Sequence, residues 1–269
     1  MSYRMITIAI TAVLIFLTII YITFWKGMDL TDIYRETPIF FGHRGDSKNF
    51  PENTIASYSS AIKNGLNAIE LDVMLTKDNR LVCSHNFDLE RETNGAGFID
   101  EIDYKDLAKV KTGRQFPINK QTTLPLLMDV VTSLPKTVLI NIEIKTKSTF
   151  DLKAAIKVAK KIKSGEISQR VIVSSFNPLV SRIVKLISQS IPTGFIYEYE
   201  QHFMGVFIAR PDCLFPETEL ITDKLIKFCR KRDMRINAWT VNNVNSRDWL
   251  ISKNIDGIIT DNPRLAGKN

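Results

Sequence analysis

The alternation of apolar and polar positions divides the chain into one long uncharged segment followed by short apolar runs separated by polar turns. Residues 5–25 carry no charged side chain over twenty-one positions, and about 20 apolar residues are what an α-helix needs to cross a bilayer core. The segment ends in Phe24 and Trp25, with Tyr21 one turn earlier, and lacks the small residues that precede a leader-peptidase cut. The pattern therefore predicts an uncleaved membrane helix that ends in an aromatic belt.

The same pattern predicts three regions. We expect residues 1–27 to form the anchor, residues 28–38 a short polar connector, and residues 39–269 the catalytic domain. Arg4 and the amino terminus flank the apolar segment on one side and Lys26 on the other, and these charges favour an amino terminus inside the cell. The expected location is thus a single-pass membrane protein whose catalytic domain lies on the extracytoplasmic side.

Beyond residue 38, apolar runs of strand type alternate with amphipathic stretches at helical spacing. Strands are predicted at residues 39–41, 68–75, 81–84, 138–144, 171–175, 193–197, 213–215, 235–241 and 257–259. Helices are predicted at residues 54–64, 102–110, 152–162, 178–188, 223–232 and 246–252. The turn-rich part, about residues 86–135, is predicted to be a small insertion after the second strand region. About eight parallel strands indicate an α/β fold, the (β/α)₈ TIM barrel.

Side chains that carry chemistry stand on or directly after these strands: His43, Arg44, Glu70, Asp72, His85, Glu143, Lys145 and Trp239. Glu70 and Asp72 are two residues apart on one strand, so both point to the same face. In barrels of this kind the chemistry lies at the carboxyl ends of the strands. We therefore expect these side chains to meet at that end.

Three carboxylates from adjacent strand ends, Glu70, Asp72 and Glu143, would repel one another unless a cation neutralised them. Ligands that are all oxygen favour a hard divalent metal, Ca²⁺ or Mg²⁺, over Zn²⁺. A metal together with an arginine and a lysine can hold and polarise a phosphate group. Two histidines can supply the proton transfers, one as base and the other as acid.

Several motifs occur in a fixed order: His-Arg-Gly at residues 43–45, Pro-Glu-Asn-Thr at 51–54, Glu-Leu-Asp-Val at 70–73, Glu-Ile-Lys at 143–145 and Trp-Thr-Val-Asn at 239–242. A second histidine, His85, follows the third motif by about a dozen residues. From about residue 40 to 263 the chain resembles the glycerophosphodiester phosphodiesterase family. The ordered set is far more specific than any single motif.

The resemblance implies a TIM barrel that hydrolyses glycerophosphodiesters to glycerol 3-phosphate and an alcohol through a cyclic phosphate. It implies that His43 and His85 are the acid/base pair, that Glu70, Asp72 and Glu143 ligate the metal, and that Arg44 and Lys145 contact the phosphate. The sequence departs from the family at one position, because Asn86 stands where an aspartate usually follows the second histidine. A neutral side chain there favours the imidazolium form less.

Some residues have a second interpretation. Trp239 is either packing inside the barrel or a wall of the substrate site, and we expect it to contact substrate. Glu143 and Lys145 lie on one strand face and can pair with each other. The Pro-Glu-Asn-Thr motif is predicted to be structural, fixing the start of a helix, with Glu52 as a candidate for supporting the site.

The amino-acid composition limits the kinds of partner that the chain is expected to bind. The formal net charge is +7, but the lysines are spread over many segments and are expected to form solvated faces, so no nucleic-acid partner is predicted. Three cysteines without metal-binding spacing are expected to be free and packed. The predicted partners are a small or lipid-derived phosphodiester and the membrane. The residues leave open a phosphatidylinositol-type phospholipase C, a lysophospholipase D, or a silent barrel that only binds phosphodiesters.

Overall fold

A computed structural model describes residues 3–267 and consists of a closed barrel with one projecting helix. Eleven strands are present in this part of the chain: β1 Ile39–Gly42, β2 Ala68–Leu75, β3 Leu81–Cys83, β4 Lys111–Thr112, β5 Thr122–Thr123, β6 Leu139–Ile144, β7 Arg170–Ser175, β8 Thr193–Tyr197, β9 Cys213–Pro216, β10 Arg235–Ala238 and β11 Gly257–Thr260. The outermost positions of the predicted anchor and domain, residues 1–2 and 268–269, lie outside the described residues.

Eight of these strands pair side by side in parallel, in the order β1-β2-β6-β7-β8-β9-β10-β11, and β11 pairs with β1 to close the barrel. This confirms the predicted TIM barrel. The interior of strand β2 lies in register with β6, so that Asp72 faces Glu143 and Glu70 faces Asn141 across the pair. Strand β3 is antiparallel to the far end of β2 and extends the sheet beyond the barrel wall.

Helix α1, Tyr3–Thr23, projects from the barrel, and the other helices surround it: α2 Ile55–Lys63, α3 Tyr104–Leu107, α4 Leu127–Ser133, α5 Lys153–Lys163, α6 Pro178–Ile187, α7 Gly205–Ala209, α8 Asp223–Lys231 and α9 Val244–Ser252. Helix α5 has the pattern typical of a barrel helix, because Ala155, Val158 and Ala159 are buried while its lysines face outward. The apolar faces of α2, α4, α5 and α6 pack with the strands into one large core.

The turn-rich segment between β3 and β6 forms a small core of its own. Leu89, Ile99, Leu107 and Leu124 pack there against the far end of β2. Helix α4, which lies inside the predicted insertion, instead joins the main barrel core. The sequence pattern did not separate this helix from the loop before it because α4 is only seven residues long.

The connector is not a free tether. Leu30 and Tyr34 are 3% and 4% exposed and pack inside the barrel's amino-terminal end, where the Tyr34 hydroxyl donates to Asn237 Oδ1 at 3.0 Å. Trp25 is buried beside β9 and β10 as well. Helix α1 is therefore joined to the barrel core by only a few residues, without a free linker.

Helix α1 is long and apolar enough, over Tyr3–Tyr21, to cross a membrane, with a mean hydropathy of 2.2, and none of this stretch is buried against the barrel. Length and composition would also suit a signal sequence. The helix is of the kind the sequence predicts.

Candidate active site

The barrel's carboxyl-terminal end holds a small cavity of about 60 Å³. Seven of the eight predicted site residues line it, together with other barrel residues: His43, Arg44, Glu70, His85, Asn141, Glu143, Lys145, Phe176, Ile196, Phe215, Trp239 and Ile259. The eighth, Asp72, belongs to the carboxylate cluster at the wall of this cavity. The structure thus brings all the predicted site residues together.

His43 is held in place by Asp261, which directly follows the last barrel strand. Its backbone N–H donates to Thr260 O at 2.8 Å, which continues the β1–β11 pairing, and its ring Nδ1 lies 2.6 Å from Asp261 Oδ1. Ser47 and Asn242 also donate to the carboxylate of Asp261. Burial alone would raise the pKa of Asp261, but these donors, His43 foremost, lower it to about 2. An ionised Asp261 holds Nδ1 protonated and leaves Nε2 for the cavity.

Arg44 sits in a left-handed turn, with φ of 54°, and Gly45 follows with φ of 91°. This turn directs the Arg44 N–H to Glu70 Oε2 at 2.8 Å, while its guanidinium meets Glu52 through Nη1 at 2.8 and 3.0 Å. Its Nε also lies 3.3 Å from Asp72 Oδ2. The arginine is thereby held over the carboxylates by both backbone and side chain.

The Pro-Glu-Asn-Thr motif supports the site as well as starting helix α2. Thr54 caps the helix by accepting from Ser57 N–H. The preceding Asn53 donates through Nδ2 to Asp72 Oδ2 at 2.8 Å and accepts from the Asp72 N–H at 3.0 Å. Glu52 accepts hydrogen bonds from Arg44. Two of the four motif residues, Glu52 and Asn53, therefore support site residues, whereas the sequence had suggested this role for Glu52 alone.

Glu70, Asp72 and Glu143 are buried, and each offers a carboxylate oxygen within 4.8 Å of the other two. Burial, reinforced by the other two charges, raises the pKa of Glu70 well above its usual value. Burial acts in the same direction on Asp72, but the charges of Lys145 and Arg44 outweigh it and hold that pKa at about 2. Three charges at this spacing are costly without a cation.

The surroundings fit a divalent ion. Glu70 Oε1 and Asp72 Oδ1 are buried and have no hydrogen-bond partner among residues 3–267. Lys145 Nζ binds Glu143 Oε1 at 2.6 Å and lies 3.4 Å from Asp72. With every group ionised, the three carboxylates and the adjoining Glu52, Arg44 and Lys145 carry two more negative than positive charges. Oxygen ligands with this charge suit Ca²⁺ or Mg²⁺.

His85 is held differently from His43. Its Nδ1 lies 2.9 Å from Asn86 Oδ1, an amide oxygen, so Nδ1 donates to a neutral acceptor. Burial lowers the pKa of His85 to about 4, although the charge of Asp72 opposes that shift. The two histidines therefore differ, one with an ionised partner and the other with a neutral one.

Trp239 both packs and lines the cavity. Its indole N–H donates to Phe215 O at 2.9 Å, and its ring meets Phe176 edge to face at 5.6 Å between centroids. Phe176 in turn lies under Lys145, with Nζ 5.7 Å from the ring centre. The two aromatic rings form an apolar wall opposite the charged cluster.

Comparison with known proteins decides the family. The model of the glycerophosphoryl diester phosphodiesterase family matches residues 43–265. The chain belongs to this family. A glycerophosphodiester phosphodiesterase of Caldanaerobacter subterraneus is 35% identical over 232 residues, covering 84% of this chain and 94% of the relative. Membership confirms the resemblance and the enzyme class, a phosphoric diester hydrolase, and counts against a silent barrel.

Solved structures of the glycerophosphodiester phosphodiesterase family share the fold. The enzyme from Thermotoga maritima aligns with a TM-score of 0.69 and 26% identity, covering 86% of this chain and 97% of that one. A phosphodiesterase from Oleispira antarctica, in complex with the product sn-glycerol-3-phosphate, aligns with a TM-score of 0.75 and 22% identity, covering 84% and 94%. The barrel described here is thus the family's barrel.

Three residues of the site were not predicted from the sequence. Asp261 follows the last barrel strand, a position at which the rule of carboxyl ends applies, and that rule could have found it. Phe176 follows β7 in the same way. Asn141 gives no such signal, because it lies inside β6. Its amide is fully buried and has no hydrogen-bond partner within residues 3–267, so it is free to bind a molecule in the cavity.

Proposed function

We propose that this chain hydrolyses glycerophosphodiesters to glycerol 3-phosphate and an alcohol in a metal-dependent reaction with His43 and His85 as the acid/base pair. The observation that carries the proposal is the gathering of both histidines and the carboxylate cluster around one cavity in a chain of this family. The product complex of the Oleispira antarctica phosphodiesterase supports the same substrate class.

Glu70, Asp72 and Glu143 would hold Ca²⁺ or Mg²⁺, which when bound supplies charge neutralisation for the phosphate oxygens. Arg44 and Lys145 hold the phosphodiester through charge-assisted hydrogen bonds. Trp239 and Phe176 contact the carbon skeleton of the substrate. The aromatic wall thus orients the diester with its phosphorus towards the charged cluster.

His85 is suited to act first as base, because it is neutral above a pH of about 5. It accepts the proton of a neighbouring glycerol hydroxyl, whose oxygen attacks phosphorus. His43, whose ring is held through Nδ1 by Asp261, donates a proton from Nε2 to the departing alcohol oxygen as its bond to phosphorus breaks. The cyclic phosphate is then opened when His43 takes a proton from water and His85 returns its proton to the ring oxygen.

Helix α1 is proposed to be an uncleaved anchor with the amino terminus inside and the barrel on the extracytoplasmic side. Its apolar length and the burial of Trp25 at its end support the anchor, and Arg4 against Lys26 supports the orientation. Labelling of an introduced cysteine with a membrane-impermeant reagent in intact cells tests the side.

The decisive experiment measures glycerol 3-phosphate release from glycerophosphocholine by the full chain in nanodiscs, with Ca²⁺, Mg²⁺ or a chelator. We expect release with one of the metals and loss of release with the chelator. His43→Ala and His85→Ala should each reduce turnover by roughly 10² or more, the usual contribution of an acid/base group. Absence of release from this and every other glycerophosphodiester, under all conditions, would refute the proposal.

A further inference from the structure

The end of helix α1 lies among three arginines of the barrel. The Arg210 guanidinium stacks on the Tyr21 ring at 3.9 Å, and Arg182 lies 5.9 Å from the same ring. Arg232 lies 5.8 Å from the Trp25 ring and contacts the Thr23 carbonyl oxygen at 3.4 Å. We call Arg182, Arg210 and Arg232 the arginine cluster.

The arginine cluster lacks acidic partners. Within residues 3–267 none of its three members forms an ion pair, whereas the nearby Arg230 and Arg235 both bind Asp256. In the described part of the chain, the Nε groups of Arg210 and Arg232 are buried and have no hydrogen-bond acceptor. Three uncompensated cations in one place attract anions, and guanidinium groups bind phosphate oxygens in particular.

The distance along the chain places this cluster at the bilayer surface. The apolar stretch Tyr3–Tyr21 is 19 residues long, about 28 Å as a helix, which matches a hydrocarbon core of about 30 Å. Helix α1 rises only about 3 Å from Tyr21 to its end at Thr23, and the buried Trp25 follows two residues later, so Trp25 lies within about 10 Å of the hydrocarbon boundary. Since no linker intervenes, the barrel surface around Trp25 lies among the lipid headgroups.

The same face carries exposed apolar side chains. Leu186 is one helical turn beyond Arg182 on α6 and is 73% exposed, and Ile208 of α7, two residues before Arg210, is 53% exposed. Arginine beside exposed leucine and isoleucine is the composition of a surface that lies in a membrane interface. We call Arg182, Leu186, Ile208, Arg210 and Arg232 the anchor-side face.

We propose that the anchor-side face rests on the bilayer that holds α1 and that the arginine cluster binds the phosphates of anionic phospholipids. The proposal rests on the proposed anchor. It also sets the direction of the active site. The anchor contacts residues before β9 and β10, through Gly27 N–H to Arg232 O and Met28 N–H to Asp212 Oδ1, whereas Trp239 follows β10. Attachment and cavity are thus at opposite ends of the barrel.

The test uses the full chain in vesicles of phosphatidylcholine, alone or mixed with phosphatidylglycerol. All three native cysteines are buried, so one introduced cysteine can carry an environment-sensitive dye. Probes at Ile208→Cys and Leu186→Cys should be quenched by lipids that carry a quencher at the headgroup. A probe at Ile118→Cys, 87% exposed and located in the insertion between β4 and β5, should not.

Charge is tested separately by thermal unfolding of the barrel. Binding of anionic lipid to the folded state raises the melting temperature. We expect a rise on adding phosphatidylglycerol, its loss in R182Q/R210Q/R232Q, and its retention in R182K/R210K/R232K, which keeps charge but not stacking. K77Q/K105Q/K153Q removes the same charge from exposed lysines away from this end of the barrel and should retain the rise.

The possible results distinguish failure of the proposed anchor from failure of the proposed anchor-side face. A full chain that fails to float with vesicles refutes the anchor and this proposal together. A chain that floats but shows equal quenching at Ile208 and Ile118 refutes the face alone. A melting temperature that responds to phosphatidylglycerol equally in the glutamine and lysine variants refutes the lipid-binding role of the arginines. If the glutamine variant does not fold, the wild-type response and the quenching pattern still decide the proposal.

Discussion

At the scale of single residues, both histidines were evident from the sequence, but the partner of only one of them was. Asp261 is 218 residues from His43 in the chain, and only the closure of the barrel by β11 against β1 brings them together. Asn86, in contrast, is adjacent to His85 in sequence, so its neutral character could be recognised as a departure from the family. Local partners can be predicted from sequence, and distant ones need the fold.

Asp261 should be required for the orientation of His43. Asp261→Asn keeps the size of the side chain but removes the charge that holds Nδ1 protonated, so kcat should fall by roughly 10²-fold or more. Metal affinity, measured by calorimetry, should stay unchanged because Asp261 is outside the carboxylate cluster. Ser47→Ala removes a lesser donor to the same carboxylate and serves as the control. Full activity in Asp261→Asn would contradict this role.

Asn86 should set the pH at which His85 loses activity. In Asn86→Asp a carboxylate beside Nδ1 favours the imidazolium form and raises the pKa of His85 from about 4, by roughly one unit or more. Because the base must be neutral, the acid limb of the kcat/KM profile should move to higher pH. Asn79→Asp, which adds the same charge at an exposed turn, should leave the limb in place. An unmoved limb in Asn86→Asp would show that His85 is not the base.

At the scale of elements, the sequence predicted most barrel strands and helices to within a few residues, because apolar runs and helical spacing report local structure directly. The sequence was less informative where one segment makes several different structural contacts. The segment between β1 and α2 caps a helix through Thr54, holds Asp72 through Asn53 and fixes Arg44 through Glu52. A capping pattern is visible in sequence, but contacts to a neighbouring strand are not.

Asn53 should support both stability and metal binding. Asn53→Ala leaves the buried Asp72 without two hydrogen bonds, which should cost about 1–3 kcal/mol of unfolding free energy. Asn79 also has a positive φ, of 60° against 56° for Asn53, but is exposed. Asn79→Ala therefore measures the backbone cost alone. Urea unfolding of both variants checks the difference, and equal losses would contradict a supporting role for Asn53.

At the scale of the whole molecule, the position of the proposed anchor relative to the cavity affects which substrates can reach the active site. The anchor meets the barrel before β9 and β10, and the four residues of β10 alone span about 13 Å towards the cavity. A substrate embedded in the same bilayer would have to reach that far from the surface. A diester dissolved in water meets no such barrier.

The full chain in nanodiscs should therefore hydrolyse dissolved glycerophosphocholine faster than lysophosphatidylcholine held in the same discs. Both substrates share the phosphodiester, so the comparison isolates access. Detergent-solubilised lysophosphatidylcholine is the control, since it removes the bilayer while keeping the acyl chain. Faster turnover of the bilayer-held lipid would instead favour the lysophospholipase D alternative.

The buried residues that follow helix α1 should also affect the stability of truncated fragments. A fragment that begins at residue 24 keeps Trp25 and Leu30, whereas one that begins at residue 31 loses both from the core. Removing large buried side chains costs about 2–5 kcal/mol each. Urea unfolding should show the shorter fragment to be less stable by several kcal/mol. Equal stability would mean that these residues contribute no packing energy.

Trp25 gives the amino-terminal segment a structural role in addition to the proposed anchoring, because its side chain is buried in the barrel core. A leader peptide is discarded without loss because nothing in the mature protein packs against it. Here a protease that cut after Trp25 would release the barrel and at the same time remove an indole ring from the core cluster that includes Leu214, Ile236 and Ile258. Shedding from the membrane and loss of structural integrity would then be one event. Under the proposed anchoring, a barrel released in this way would be less stable than the attached one.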